Sequence, residues 1–348
     1  MKKRSSSIHS FYVMKTTEIS QKTLLSVLLL LFCTLIGYGQ GSPFISIWKT
    51  DNPGVSNNNQ ITIPAEGWYY YTWTPADDLY DPSPPFPNED ELTITFPETG
   101  TYIIEITPLS SIGAPFDRIK FNNSGDKEKL IEITQWGDTE WSSFKEAYYG
   151  ASNLEITADD IPDLSNVDNM HSAFRNTNIS TVPNMNNWNT GNIEDMGYTF
   201  AGTSNFNQDI GDWDVSHVIH MDNTFNNASA FDQNLGSWNI SDLFTATDMF
   251  NNSGLSCLNY SLTIKGWAEN PDPPFFVELG ADQIEYSPEI VEDIDYLITN
   301  YDWTFDGHAE GTCTLSSDPI DWDTAYITIW KTDNPGESNN TQINIPAS

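Results

Sequence analysis

The chain has 348 residues, enough for two or three domains, and sets 49 Asp and Glu against 14 Lys and Arg, a formal net charge of −35. Five of the basic residues (Lys2, Lys3, Arg4, Lys15 and Lys22) lie within residues 1–39, so the rest is more acidic still. Such a surface repels nucleic-acid phosphates and anionic membranes, which excludes both as partners and fits a protein kept soluble by charge.

Lys15 and Lys22 precede an apolar run, Leu24 to Ile36, the length of a signal-peptide core and too short to span a bilayer. Gly37 and Gly39 suit cleavage before Gln40, and Met14 as the start leaves residues 1–13 as upstream read-through. Residues 1–39 are therefore expected to be a cleaved secretory signal, with no transmembrane segment in the mature chain. Cys33 lacks the small residues before it that a lipid anchor needs.

Residues 40–133 read as antiparallel β structure. Phe44–Trp48, Gln60–Ile63, Trp68–Trp73, Leu92–Phe96 and Thr101–Thr107 are β-branched and aromatic runs bounded by Pro, Gly and Asn. Pro97-Glu98-Thr99-Gly100 reads as a hairpin-like connection, and this number of short strands suggests a sandwich.

Residues 163–188, 189–213, 214–238 and a unit opening at Asn239 then repeat at 25 or 26 positions, and a period in this range predicts a stack of repeats sharing one core. Apolar residues recur at positions 5, 8 and 12 (Val167/Met170/Phe174, Ile193/Met196/Phe200, Val218/Met221/Phe225, Leu243/Ala246/Phe250), with Thr177, Thr203, Ala228 and Ser253 completing the stripe. Steps of three and four predict a helix, with Ser165, Ser216 and Ser241 as its caps and Gly191 in their place in one copy. Phe206/Phe231, Ile210/Leu235 and Trp213/Trp238 follow without helical spacing and predict a strand. The expectation is a multidomain chain: an antiparallel β-sandwich, then an α/β leucine-rich-repeat-type solenoid over 134–310 with atypical caps at 129–162 and 255–307.

Residues 44–65 recur as 326–347 at an offset of 282, so 311–348 reads as a linker and the opening strands of a second β-sandwich, and the chain as a fragment of a longer tandem protein. Cys257 and Cys313 remain after cleavage. Export permits a disulfide between them, closing a loop of about 55 residues for roughly 3–4 kcal/mol. Two separate thiols are the alternative.

Chemistry is sparse. His217 and His220 occupy columns that hold Asn, Asp and Thr in other units, as solvated positions do, and His171 is isolated. The pairs Asp159/Asp160, Glu194/Asp195 and Asp209/Asp212 lie in turns or exposed columns, without the burial a glycosidase carboxylate needs. There is no GxSxG, Gly-rich phosphate loop or HExxH, so no catalytic residue and no enzyme is expected. No cofactor is expected either; Ca²⁺ on the acid-rich loops stays open, although none has EF-hand spacing. Position 6 is the anomaly: Asp168 and Glu194 in two units, Ile219 and Phe244 in the next two. These four residues form a partner-binding patch if exposed. Packing of the apolar pair under the cap at 255–307 is the preferred reading.

Two resemblances follow from these motifs. Pro97–Ile106 (PETGTYIIEI) resembles the strand-turn-strand of PKD-type β-sandwich domains. The pattern NVxxMxxxFxxAxxFxQxIxxWDVS, clearest over 189–238, resembles the BspA-like leucine-rich-repeat surface proteins of bacteria, over about 130–310. That resemblance implies export, display on the bacterial surface and adhesion to host or matrix proteins or other cell-surface components, with no shared catalytic residues. The alternatives are a carbohydrate-binding accessory module of a larger exported protein, taking glycans, and a structural stalk of tandem modules.

Overall fold

The computed structural model describes residues 41–78, 82–109 and 114–315. The expected signal segment 1–39 and the second β copy from 326 lie outside them.

The first domain follows from alternation. Strand β1 (Phe44–Lys49) buries every second residue, placing Phe44, Ser46 and Trp48 in the core. It pairs antiparallel with β7 (Thr101–Pro108) on one side and β9 (Leu130–Gln135) on the other. Strand β4 (Trp68–Pro75) continues beyond β7, and β5 (Phe86–Glu89) forms the edge. Two short pairs complete the domain: β2 (Gln60–Ile63) with β6 (Leu92–Thr95), and β3 (Ala65–Glu66) with β8 (Arg118–Ile119). The Pro97–Gly100 connection is not a hairpin, because β6 and β7 belong to different sheets. The chain crosses between layers there: Phe96 stacks on Tyr102 at 3.9 Å, and the Gly100 N–H donates to Thr50 Oγ1.

Within this domain the loop 54–60 closes over a buried pair. Asp126 accepts from the N–H groups of Val55, Ser56 and Thr62, while Lys129 Nζ donates to the carbonyls of Ser56, Asn57 and Gln60. Burial lowers the Lys129 pKa from the ordinary lysine value, opposed by the charge of Asp126, and the ring of carbonyl oxygens supplies the solvation the ammonium has lost.

The repeats overturn the expected fold class. Between Thr157 and Ser256 the chain forms no α-helix and no strand, only turns joined by single parallel bridges, with one 3-10 turn at Met185–Asn187. The described residues hold small sheets, few helices and no closed sheet, so the α/β leucine-rich-repeat solenoid is not what this sequence builds. The reason lies in the backbone. Position 10 of each unit (Ser172, Tyr198, Asn223, Asp248) and position 14 (Asn176, Gly202, Asn227, Asn252) are left-handed, at φ of 55–72°. A left-handed residue every four positions breaks any α-helix. The spacing of three and four arises instead from successive tight turns: Ala173, Arg175 and Thr177 each donate an N–H to the residue three before. The residues between them turn outward along the stack. Met170, Ser172, Phe174 and Asn176 donate to Asp195, Gly197, Thr199 and Ala201 of the next unit, and the same four positions do so again from the second unit to the third and from the third to the fourth.

The expected cap is also reversed. Ser165, Ser216 and Ser241 do not cap; their N–H groups donate to the side chains of Asp163, Asp214 and Asn239 two residues before. The expected strand is absent too, because the tryptophans brace the layers with side chains. Trp213, Trp238 and Trp267 Nε1 donate to the carbonyls of Met185, Ile210 and Leu235, each in the preceding layer.

Both ends of the stack are covered. At the start, Phe144, Glu146, Tyr148 and Gly150 donate to Asn169, His171, Ala173 and Arg175, and residues 121–123 of the β domain donate onto that first layer in turn. Strand β10 (Glu155–Ile156) lies parallel on β9, so one six-stranded sheet, ordered β10-β9-β1-β7-β4-β5, joins domain and stack. At the far end come α1 (Cys257–Ala268), β11 (Glu278–Gly280), β12 (Glu285–Tyr286), α2 (Val291–Tyr301), β13 (Thr304–Asp306) and β14 (Ala309–Glu310). Strands β11 and β12 take up the ladder, pairing parallel with β13 and β14. Ser256 Oγ accepts from the Asn259 N–H and starts α1, which buries Tyr260, Ile264 and Trp267. Among the described residues no helix is long and apolar enough to cross a membrane.

Candidate binding face

Position 6 forms a continuous column. The Glu194 N–H donates to the Asp168 carbonyl at 2.8 Å, Ile219 to Glu194 at 2.8 Å, and Phe244 to Ile219 at 2.9 Å. Four residues separated by about 75 positions thus become consecutive rungs. Asp168 and Glu194 are exposed, Ile219 is half-buried, and Phe244 is 63 % exposed. Phe244 is therefore not packed under the C-terminal cap, contrary to the preferred sequence reading. The ladder that binds β11 and the turn after it to the last unit runs through Ala246, Phe250 and Asn252, on positions 8 to 14, and leaves position 6 outside. The column is acidic at one end and apolar at the other.

Position 7 runs beside it through Asn169, Asp195, His220 and Thr245, each bridged to the next. Its side chains bond to one another rather than pointing free: Asn169 Nδ2 donates to Asp195, and His220 Nδ1 meets Thr245 Oγ1 at 3.1 Å. Burial alone would raise the Asp195 pKa, but His171, the Gly197 N–H and Asn169 outweigh it and hold the carboxyl below its ordinary value. His171 also lies 5.4 Å from the Tyr198 ring. His217 meets Ser216 and lies near Asp214, so these three histidines are dispersed among separate partners. Among the described residues no three His, Cys, Asp or Glu side chains are grouped to hold a metal ion. Of the acid pairs, Asp160 accepts from the N–H groups of Trp136 and Gly137, more than twenty residues earlier, and ties the two segments together, while Asp209 accepts from Gly211 two residues on, as turn-forming side chains do.

Cys257 and Cys313 are joined in a disulfide that fastens the first turn of α1 to the chain beyond β14. Two surface features escaped the sequence reading. Arg175 lies between two rings, 5.0 Å from the centre of Tyr149 and 4.5 Å from that of Tyr198. Phe275 and Phe276 stand 53 % and 68 % exposed after the run Pro271-Asp272-Pro273-Pro274. The second had a visible signal: paired phenylalanines directly following a Pro-rich turn, outside any apolar period. The first had none, because Tyr149, Arg175 and Tyr198 come from three layers and only stacking brings them together.

No curated protein and no solved structure matches the chain. Residues 133–263, well under half of the 348, match the family model described as "Mycoplasma protein of unknown function, DUF285".

Proposed function

We propose that the protein is a secreted or surface-displayed bacterial protein that mediates adhesion or protein–protein binding, without catalysis, through the outer face of its repeat stack. The finer resemblance, to the BspA-like surface proteins over the repeats and to PKD-type domains before them, belongs to this reading. So does the role of the β domain as a spacer. The observation that carries it is the position-6 column, which displays Ile219 and Phe244 on a rigid hydrogen-bonded edge beside Glu194 and Asp168. Exposed apolar groups held by a fixed backbone and rimmed by charge are what a partner surface needs. The partners are extracellular proteins: host or matrix proteins or other cell-surface components.

The test is a binding screen of the purified protein against immobilised matrix proteins, with and without added calcium, repeated for an Ile219→Ser/Phe244→Ser variant. Retained folding with lost binding supports the reading. Unchanged binding by the variant refutes the position-6 face as the contact surface.

A further inference from the structure

A second exposed aromatic group lies on the C-terminal cap and belongs to neither the position-6 column nor the core. Phe275 contacts Phe276 at 6.0 Å and Tyr301 at 5.0 Å, and Tyr301 contacts Tyr296 at 5.6 Å. The mutual angles are 44°, 47° and 64°, so the rings do not form the flat platform on which a sugar stacks but stand at steep angles to one another. The backbone beneath is fixed. Pro273 and Pro274 are buried, Trp303 Nε1 donates to the Pro274 carbonyl, and the Phe276 N–H donates to the Tyr301 carbonyl.

Phe276 itself is left-handed at φ 64°, a conformation that costs a bulky residue free energy, and its side chain gains no burial in exchange. The charged residues that flank the rings in sequence are acidic. Asp272 and Asp302 are exposed on either side in sequence, and the hydrogen bond with Tyr296, followed by burial and nearby charges including Asp272, raises the Tyr301 hydroxyl above its ordinary pKa.

We propose that this cluster is a docking site for the Lys or Arg side chains of a basic segment on a partner protein. Angled ring faces attract a cation through their quadrupoles, and neighbouring carboxylates favour the same charge. The chain already uses this chemistry internally, where Arg175 fills the space between Tyr149 and Tyr198. Among the described residues those are the cation–π contacts found, and none of them involves the cluster on the cap. A net charge of −35 makes a basic partner the one that gains electrostatically on approach. The proposal deepens the binding role argued above and rests on it, but places a second contact on different residues.

The experiment is calorimetric titration of the full chain with an acetylated (Arg-Gly-Lys)₃ peptide at about physiological ionic strength, where diffuse attraction between exposed charges is screened. A Phe275→Ser/Phe276→Gly variant should keep its melting temperature and bind roughly tenfold more weakly, and Asp272→Asn should weaken binding several-fold. Tyr301→Phe, which keeps the ring and removes the hydroxyl, should bind like the unmodified chain. Absent peptide binding, or equal affinity in the double variant, overturns the proposal. So does binding of a neutral cello-oligosaccharide that the same double variant abolishes, because the site is then a glycan site. Loss of matrix binding in Ile219→Ser/Phe244→Ser but not in the Phe275/Phe276 variant leaves the main function standing and confines failure to this site.

Discussion

The ring of Phe200 lies 5.7 Å from that of Phe225, one unit later in the chain, and within 9° of parallel to it. The same relationship links Phe174 to Phe200 at 5.8 Å and Phe225 to Phe250 at 5.9 Å, so a single column of phenylalanines runs through four units. A second column beside it stacks Phe206 on Phe231 at 6.0 Å, and each of these also meets the first column. With no α-helix and no strand between Thr157 and Ser256, these columns and the inter-unit backbone bonds hold the layers in register.

Phe225→Ala should therefore destabilise the protein by about 3–5 kcal/mol, because the fully buried ring touches Phe200, Phe231, Trp238 and Phe250 and its neighbours cannot collapse without leaving register. Phe244→Ala, on the exposed column, should change stability by no more than roughly 0.5 kcal/mol. Chemical denaturation of the two variants checks the contrast, and equal effects would contradict the assignment of interior and face.

The left-handed positions make a second test. Gly202→Ala places a Cβ at φ 72° and directly against Asn176 Oδ1, and should cost about 1–3 kcal/mol. Asn176→Gly, at a matching position with φ 56°, should stay within about 0.5 kcal/mol of the parent. A helix over the same residues would give the reverse order, since alanine favours a helix and glycine opposes it.

The disulfide between Cys257 and Cys313, 56 residues apart, should contribute about 4 kcal/mol by restricting the unfolded chain. Cys313→Ser is expected to lower the melting temperature, and adding reductant should lower that of the parent but not of the variant. The loss should appear first as exchange of amide protons in α1, the helix the bond fastens.

Asp195 supplies the pH dependence. Its folded pKa lies below the unfolded value, so its contribution is complete above the ordinary aspartate range and is lost as pH falls through the folded pKa. Stability should accordingly decline below about pH 4. Asp195→Asn should flatten part of that decline while lowering stability at neutral pH, because an amide cannot accept at both oxygens from the Gly197 N–H and Asn169 Nδ2 as the carboxylate does. Urea midpoints across the acid range, compared between the two proteins, measure it.

Strands β1, β2, β4, β6 and β7 were legible because alternation and flanking Pro, Gly and Asn are local signals, and the structure has strands at those places. Their partners were not. Nothing in Pro97–Gly100 reveals that β6 and β7 part company into different layers, a choice made by Phe96 stacking on Tyr102 and by Thr50 holding Gly100. In the repeats, period and apolar columns were legible while the conformation was misread. Turns with a left-handed residue every fourth position bury residues at the same three-and-four spacing as a helix, and Asn, Ser and Asp at those positions were the overlooked sign.

The amino-acid sequence by itself determined the period, the residues that enter the core and the acidity of the surface, because these depend on residue type and separation alone. Tertiary structure decided whether each N–H would satisfy itself within its own turn or across to the next unit. That choice aligned Asp168, Glu194, Ile219 and Phe244 along one edge and brought Tyr149, Arg175 and Tyr198 together. The physical reason is that a backbone group can bond to a partner 25 residues away only once the intervening chain has closed its loop and buried its own apolar side chains.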